Sequence, residues 1–85
     1  MPDTPPFAEI GARLLAVRTG FSDLGNKAWA AKHNFGETQY FNWEKGDRRI
    51  TVDEAQKLAD TYGLTLDWIY RGRRDGLSEK ASKVV

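Results

Sequence analysis

The stretch Asn26–Gly46, NKAWAAKHNFGETQYFNWEKG, constrains this chain more than any other. Ala28, Trp29 and Ala30 sit in a short helix expected over about Asn26 to His33. Asn34 can adopt the left-handed conformation that closes a helix, and Gly36 permits entry to the next. A second helix, about Glu37 to Lys45, buries Tyr40 and Trp43 at i, i+3 and stops at Gly46. Ala30 suits a close crossing of these two helices, because a larger side chain would hold them apart.

The remaining sequence has the same helical character. Ile10, Leu14 and Val17 recur at i, i+4, i+7, which predicts an amphipathic helix from Phe7 to Arg18, ending at Gly20. In the connector Thr19–Gly25, Phe21 and Leu24 are expected to point inward. Thr51-Val-Asp-Glu54 reads as a capping box, with Glu54 reaching back to Thr51. The helix it opens runs to Tyr62 with Val52, Ala55, Leu58, Ala59 and Tyr62 on one face. Thr65 caps a short fifth helix, LDWIYR, with Leu66 and Ile69 turned inward. After Gly72 the pattern fades, and Ser78 offers only a weak start for a last turn. No segment alternates with period two over a useful length, so the expected fold is all-α and five-helical. The organisation expected is a loose arm over 1–6, one domain over 7–72 and a basic tail over 73–85.

Composition narrows the function classes. The 85 residues make one small domain without cysteine, which excludes disulfides and thiolate metal sites. A single histidine, His33, excludes the two-histidine zinc sites and has no evident carboxylate or hydroxyl partner for nucleophilic catalysis. No glycine-rich phosphate loop of the usual spacing occurs. An enzyme is not expected, and no cofactor or small-molecule ligand is implied. The opening MPDTPPFAEIG lacks the pattern of a secretory signal, and no apolar run approaches the ~20 residues that span a bilayer. The expectation is a soluble, cytoplasmic protein without a membrane partner.

Net charge is only +1, but it is unevenly distributed. From Gly25 to Ile50, Lys27, Lys32, Lys45, Arg48 and Arg49 outnumber Glu37, Glu44 and Asp47. From Thr51 to Tyr70, Lys57 faces Asp53, Glu54, Asp60 and Asp67, and the residues after Tyr70 are basic again. A mildly basic segment around the second of the paired helices is enough for phosphate attraction.

Two short helices joined by a three-residue break have the layout of a helix-turn-helix, whose second helix lies in the major groove of double-stranded DNA. Its nine residues span roughly 13 Å at ~1.5 Å per residue, which a groove ~12 Å wide accepts. Thr38, Gln39 and Asn42 are the candidate base readers: asparagine can pair bidentately with adenine, and threonine can meet a thymine methyl or an acceptor. Glu37 can accept from a cytosine amine or favour the positive helix start. Because Tyr40 and Trp43 fill the inward stripe, Phe41 should face outward, to meet a thymine methyl or a partner surface. Asn26, Lys27, Lys45, Arg48 and Arg49 are candidate phosphate contacts, which position a protein without reading sequence.

Ala30 in the first of the pair, the turn Asn34-Phe35-Gly36 and the closure Trp43-Glu44-Lys45-Gly46 resemble the lambda-repressor-like, Cro/Xre-type DNA-binding domain. The capped fourth helix and GLTLDWIYRG, Gly63 to Gly72, resemble the end of such domains in phage and bacterial regulators. The resemblance covers about Ile10 to Gly72. It implies a transcriptional regulator, a repressor or Cro-like switch, with Glu37, Thr38, Phe41 and Asn42 facing the groove and Gln39 nearer its edge. The family usually places Ser-Gln or Thr-Gln at the start of the second helix, and this chain has Gly25-Asn26, so a shorter amide would hold the phosphate there. A small domain of this kind gains useful specificity as two copies on a two-fold site. Leu66, Trp68, Tyr70, Leu77, Val84 and Val85, in the fifth helix and tail, are the apolar groups available for a homodimer contact. The competing reading is a protein-interaction module, antitoxin-like or adaptor, on the same scaffold.

Overall fold

Ile10, Leu14 and Val17 turn the first helix onto the centre of the core, where Leu14 and Val17 are wholly buried. The structure is a computed structural model and describes residues 4–85. It has six helices in chain order: α1 (Ala8–Phe21), α2 (Asn26–Lys32), α3 (Glu37–Lys45), α4 (Val52–Tyr62), α5 (Leu66–Arg71) and α6 (Glu79–Val84). Among the described residues there is no strand. No described helix is long and apolar enough to cross a membrane. Of the arm expected at residues 1–6, the first three lie outside the described residues.

The core is unusually aromatic for its size. Trp29, Tyr40, Trp43, Trp68 and Phe35 are buried with Ile50, Leu58, Leu64 and Ile69. Each such ring removes about 150–250 Å² from water, which suits a domain with few residues to spare. Asn34 takes the left-handed conformation at φ 63°. With it, the Phe35 N–H donates to Ala30 O at 2.8 Å and the Asn34 N–H to Ala31 O at 3.2 Å, a paired closure that ends α2.

Several local expectations are corrected. The first helix runs through Gly20 to Phe21 and so shortens the connector to Ser22–Gly25. Leu24 and Val52, expected inward, are 37% and 57% exposed. Thr51 does cap α4, accepting from the Glu54 N–H at 3.4 Å, but Glu54 turns its carboxylate to Lys57 Nζ at 3.4 Å instead of reaching back.

The larger difference lies after Gly72, where a sixth helix replaces a patternless tail. Ser78 caps α6 by accepting from the Ala81 N–H at 3.1 Å, and Ala81 is fully buried. Arg74 donates to Ser82 O at 2.8 Å and Val85 O at 3.1 Å, covering carbonyls that a helix end leaves free. Gly20 makes room for Val84, since a Cβ there would lie 2.5 Å from a Val84 methyl. Only one fully buried side chain marks this six-residue helix, so it leaves almost no periodicity to read. Leu66, Tyr70, Leu77 and Val85 pack against the core as half-buried groups, and Trp68 is buried outright, which removes it from the apolar groups available for a homodimer contact.

Candidate nucleic-acid interface

The inward side of α3 is fixed first. Tyr40 is fully buried and Trp43 nearly so, and both rings pack on Phe35 of the turn, with centroids at 5.8 and 5.5 Å. Glu44 follows Tyr40 by four residues and therefore falls on the same side. Its carboxylate takes two hydrogen bonds from Arg18 of α1, Nε at 2.9 Å and Nη2 at 2.7 Å. The same guanidinium donates through Nη1 to Leu24 O at 2.9 Å, so it ties the connector as well. The hydrogen-bonded Glu44 raises the Arg18 pKa further, against its partial desolvation. Burial, with the Glu44 carboxylate beside it, pushes the Tyr40 phenol far above its ordinary range.

The carboxyl end of α3 is held equally closely. Gly11 of α1 leaves no room for a side chain, because a Cβ would run into the Glu44 carbonyl oxygen. Gly46 closes α3 at φ 91°, and its carbonyl accepts from the Phe7 N–H at 2.9 Å. The Asn42 carbonyl accepts from the Gly46 and Asp47 N–H groups at 3.1 and 3.0 Å, which starts the α3–α4 turn.

With these anchors on one side, the opposite side of α3 is free. Glu37, Thr38, Gln39 and Phe41 are exposed, Phe41 to 48%, and Asn42 is half-buried. At 3.6 residues per turn, positions 37, 38, 41 and 42 share one face. Gln39 lies aside, folded back towards Gly36, where a Cβ would sit 2.9 Å from its Oε1. Of the five candidate phosphate residues, Asn26 is half-buried at the start of α2, and Lys27, Lys45, Arg48 and Arg49 are exposed. Lys45 is shared between Asp47, 3.3 Å away, and the Phe41 ring at 5.8 Å. Arg49 stacks over the Tyr70 ring at 4.4 Å, and the Tyr70 hydroxyl donates to Ile50 O at 2.6 Å. Among the described residues Arg48 has no ion-pair partner.

The Helix-turn-helix family model matches residues 30–69, from the middle of α2 almost to the end of α5. This segment is a helix-turn-helix of the lambda-repressor-like, Cro/Xre type. The family is one of DNA-binding transcription regulators. No curated protein and no solved structure gives a significant match to the chain. In this helix-turn-helix, α2 and the turn support α3, and α1 clamps it from behind.

Three structural residues of the site escaped the sequence reading. Arg13, off the apolar stripe of α1, donates to Ile69 O at 3.0 Å and joins α1 to α5. Arg18 is off the stripe too, yet it pairs with Glu44. The available signal was Glu44 itself, since a carboxylate four residues after a core tyrosine requires a cation. The third is His33, whose Nε2 lies 2.9 Å from the Tyr62 hydroxyl of α4.

Proposed function

We propose that the chain is a sequence-specific double-stranded DNA-binding protein that regulates transcription, as a repressor or Cro-like switch in the cytoplasm. In this reading α3 enters the major groove. Thr38 and Asn42 read base edges, Glu37 and Phe41 line the same face, and Gln39 works at its edge. Asn26, Lys27, Lys45, Arg48 and Arg49 hold phosphates on either side. The observation that carries it is the one-sided anchoring of α3: Tyr40, Trp43 and Glu44 are committed to the body, while Glu37, Thr38, Gln39 and Phe41 face solvent.

One copy offers a short reading helix, so specific recognition calls for two copies on a two-fold site, half-sites ~34 Å apart or a multiple. The half-buried groups Leu66, Tyr70, Leu77, Val84 and Val85 are the candidate contact between copies. Selection from random duplexes, followed by footprinting, tests the proposal. Enrichment of a palindromic motif with that spacing supports it; no binding to any duplex at low salt overturns it.

One observation favours a second reading, a protein-docking module on the same scaffold. An exposed phenylalanine next to an acidic helix start, Phe41 and Glu37, also suits a protein groove. Failure to bind duplex at about 10 μM in low salt, where non-specific binding is ordinarily visible, would transfer the assignment to it.

A further inference from the structure

We infer that His33 is a positioning residue for the reading helix, and that its neutral, Tyr62-bonded imidazole makes DNA binding sensitive to acid. The inference rests on the DNA-binding reading above and adds a regulation of the same site.

His33 stands where α2 gives way to the turn. Its ring lies in a cage of other rings: Trp29 edge-on at 4.4 Å, Tyr62 at 5.5 Å and Phe35 at 5.8 Å. Phe35 in turn packs on Tyr40 and Trp43, the inward side of α3. A displacement of the imidazole is therefore passed through one ring to the helix that carries Thr38 and Asn42. The 2.9 Å contact with Tyr62 joins two groups that can each donate or accept. With the phenol as donor, Nε2 must be unprotonated, and a charged ring must reverse the bond and donate Nε2–H to the phenol oxygen inside the cage.

The surroundings oppose a charge there. Lys32 of α2 lies over the Trp29 ring at 5.9 Å, and Lys57 of α4 lies over the Phe35 ring at 5.6 Å. Both ammonium groups thus flank the cage that holds the imidazole. From α4 come also the Tyr62 phenol and Glu54, the latter paired with Lys57 at 3.4 Å. From the α1 side comes only the Phe21 ring, 4.7 Å from Tyr62, and α3 contributes the rings behind Phe35. The carbonyl end of α2 favours a cation, but desolvation, then Lys32 and Lys57, lower the His33 pKa on balance. A protonated ring relieves its conflict by swinging into solvent, which empties the cage under Phe35.

The sign follows from linkage. A histidine whose folded pKa lies below its unfolded one stabilises the fold fully above the unfolded value, about 6.5. That contribution is lost as pH falls below it. His33 is the only histidine of the chain, so no other side chain ordinarily titrates between about pH 5.5 and 7.5.

The test compares the wild type with His33→Gln, whose amide accepts from Tyr62 without titrating, against the selected duplex at constant ionic strength. Wild-type affinity should weaken roughly threefold or more between about pH 7.5 and 5.5, and His33→Gln should be flat. Lys57→Gln keeps the imidazole and removes a flanking cation, so its loss of affinity should begin at higher pH than in the wild type. It also covers the case in which His33→Gln fails to fold. Parallel pH profiles for all three proteins, or tighter binding in acid, would overturn the inference while leaving the DNA-binding reading intact. Absence of binding at every pH would overturn that reading, and the acid-sensitive DNA binding with it.

Discussion

Arg18 and Glu44, 26 residues apart, form a two-pronged ion pair that bolts the reading helix to α1, with side chains only 15% and 10% exposed. A pair this sheltered is costly to break from one side, because the survivor keeps its charge without a partner. Glu44→Ala should therefore lower unfolding free energy by about 2–4 kcal/mol in urea titrations. The double variant Arg18→Met/Glu44→Met should recover most of that loss. A single variant within about 0.5 kcal/mol of the wild type would show the pair to be ornamental.

Gly11 makes the complementary prediction at the same crossing. Its missing Cβ is where the Glu44 carbonyl comes closest to α1, and that neighbour is backbone, which cannot rotate aside. Gly11→Ala gains helix propensity worth about 1 kcal/mol yet should destabilise by about 2 kcal/mol or more, as the helices are forced apart. Thermal melting would decide it: a raised midpoint would mean that the crossing yields.

The two variants mark the boundary of what the sequence makes legible. Tyr40, Trp43, Asn34 and the Thr51 and Thr65 caps could be read because each declares itself within four residues. The helix-turn-helix was legible for the same reason. Long-range partnerships are signed at one end at most: Glu44, four residues after buried Tyr40, asks for a cation, but nothing near Arg18 points to Glu44, and nothing near Gly11 announces a helix above it. The sixth helix was obscured because its support comes from Gly20, Gly63 and Arg74 instead of its own pattern. The inward positions expected for Leu24 and Val52 failed because a periodicity fixes a face but not whether a neighbour covers that end of it.

On the outward side, Asn42 and Arg48 should behave differently. Asn42→Ala removes an amide able to pair with one base and should weaken binding to the selected site by ~1–3 kcal/mol, relaxing one base position. Arg48, exposed and without an ion-pair partner among the described residues, is suited to a phosphate. Arg48→Ala should weaken specific and random duplex alike and reduce the salt slope by about 1. Anisotropy titrations over a salt series measure both. Equal losses on specific and random DNA for Asn42→Ala would contradict its reading role.

Ending the chain after Leu77 separates the two tasks assigned to the last residues. The truncation removes buried Ala81, the Ser78 N–H bond to Gly63 O at 2.9 Å and the Val84 contact on Gly20, and leaves Arg74 without its acceptors. A loss of about 1–2 kcal/mol is expected, which for a domain of this size lowers the melting midpoint by roughly 4–16 °C. None of these contacts involves α3, so affinity for a single half-site, measured well below the midpoint, should stay within about twofold. Binding to a two-fold site is the sensitive readout. If Val84 and Val85 join two copies, truncation after Leu77 should abolish cooperative occupancy while half-site binding persists. Cooperativity that survives the truncation would move the contact between copies away from the tail, leaving α6 as a stabiliser of α1 alone.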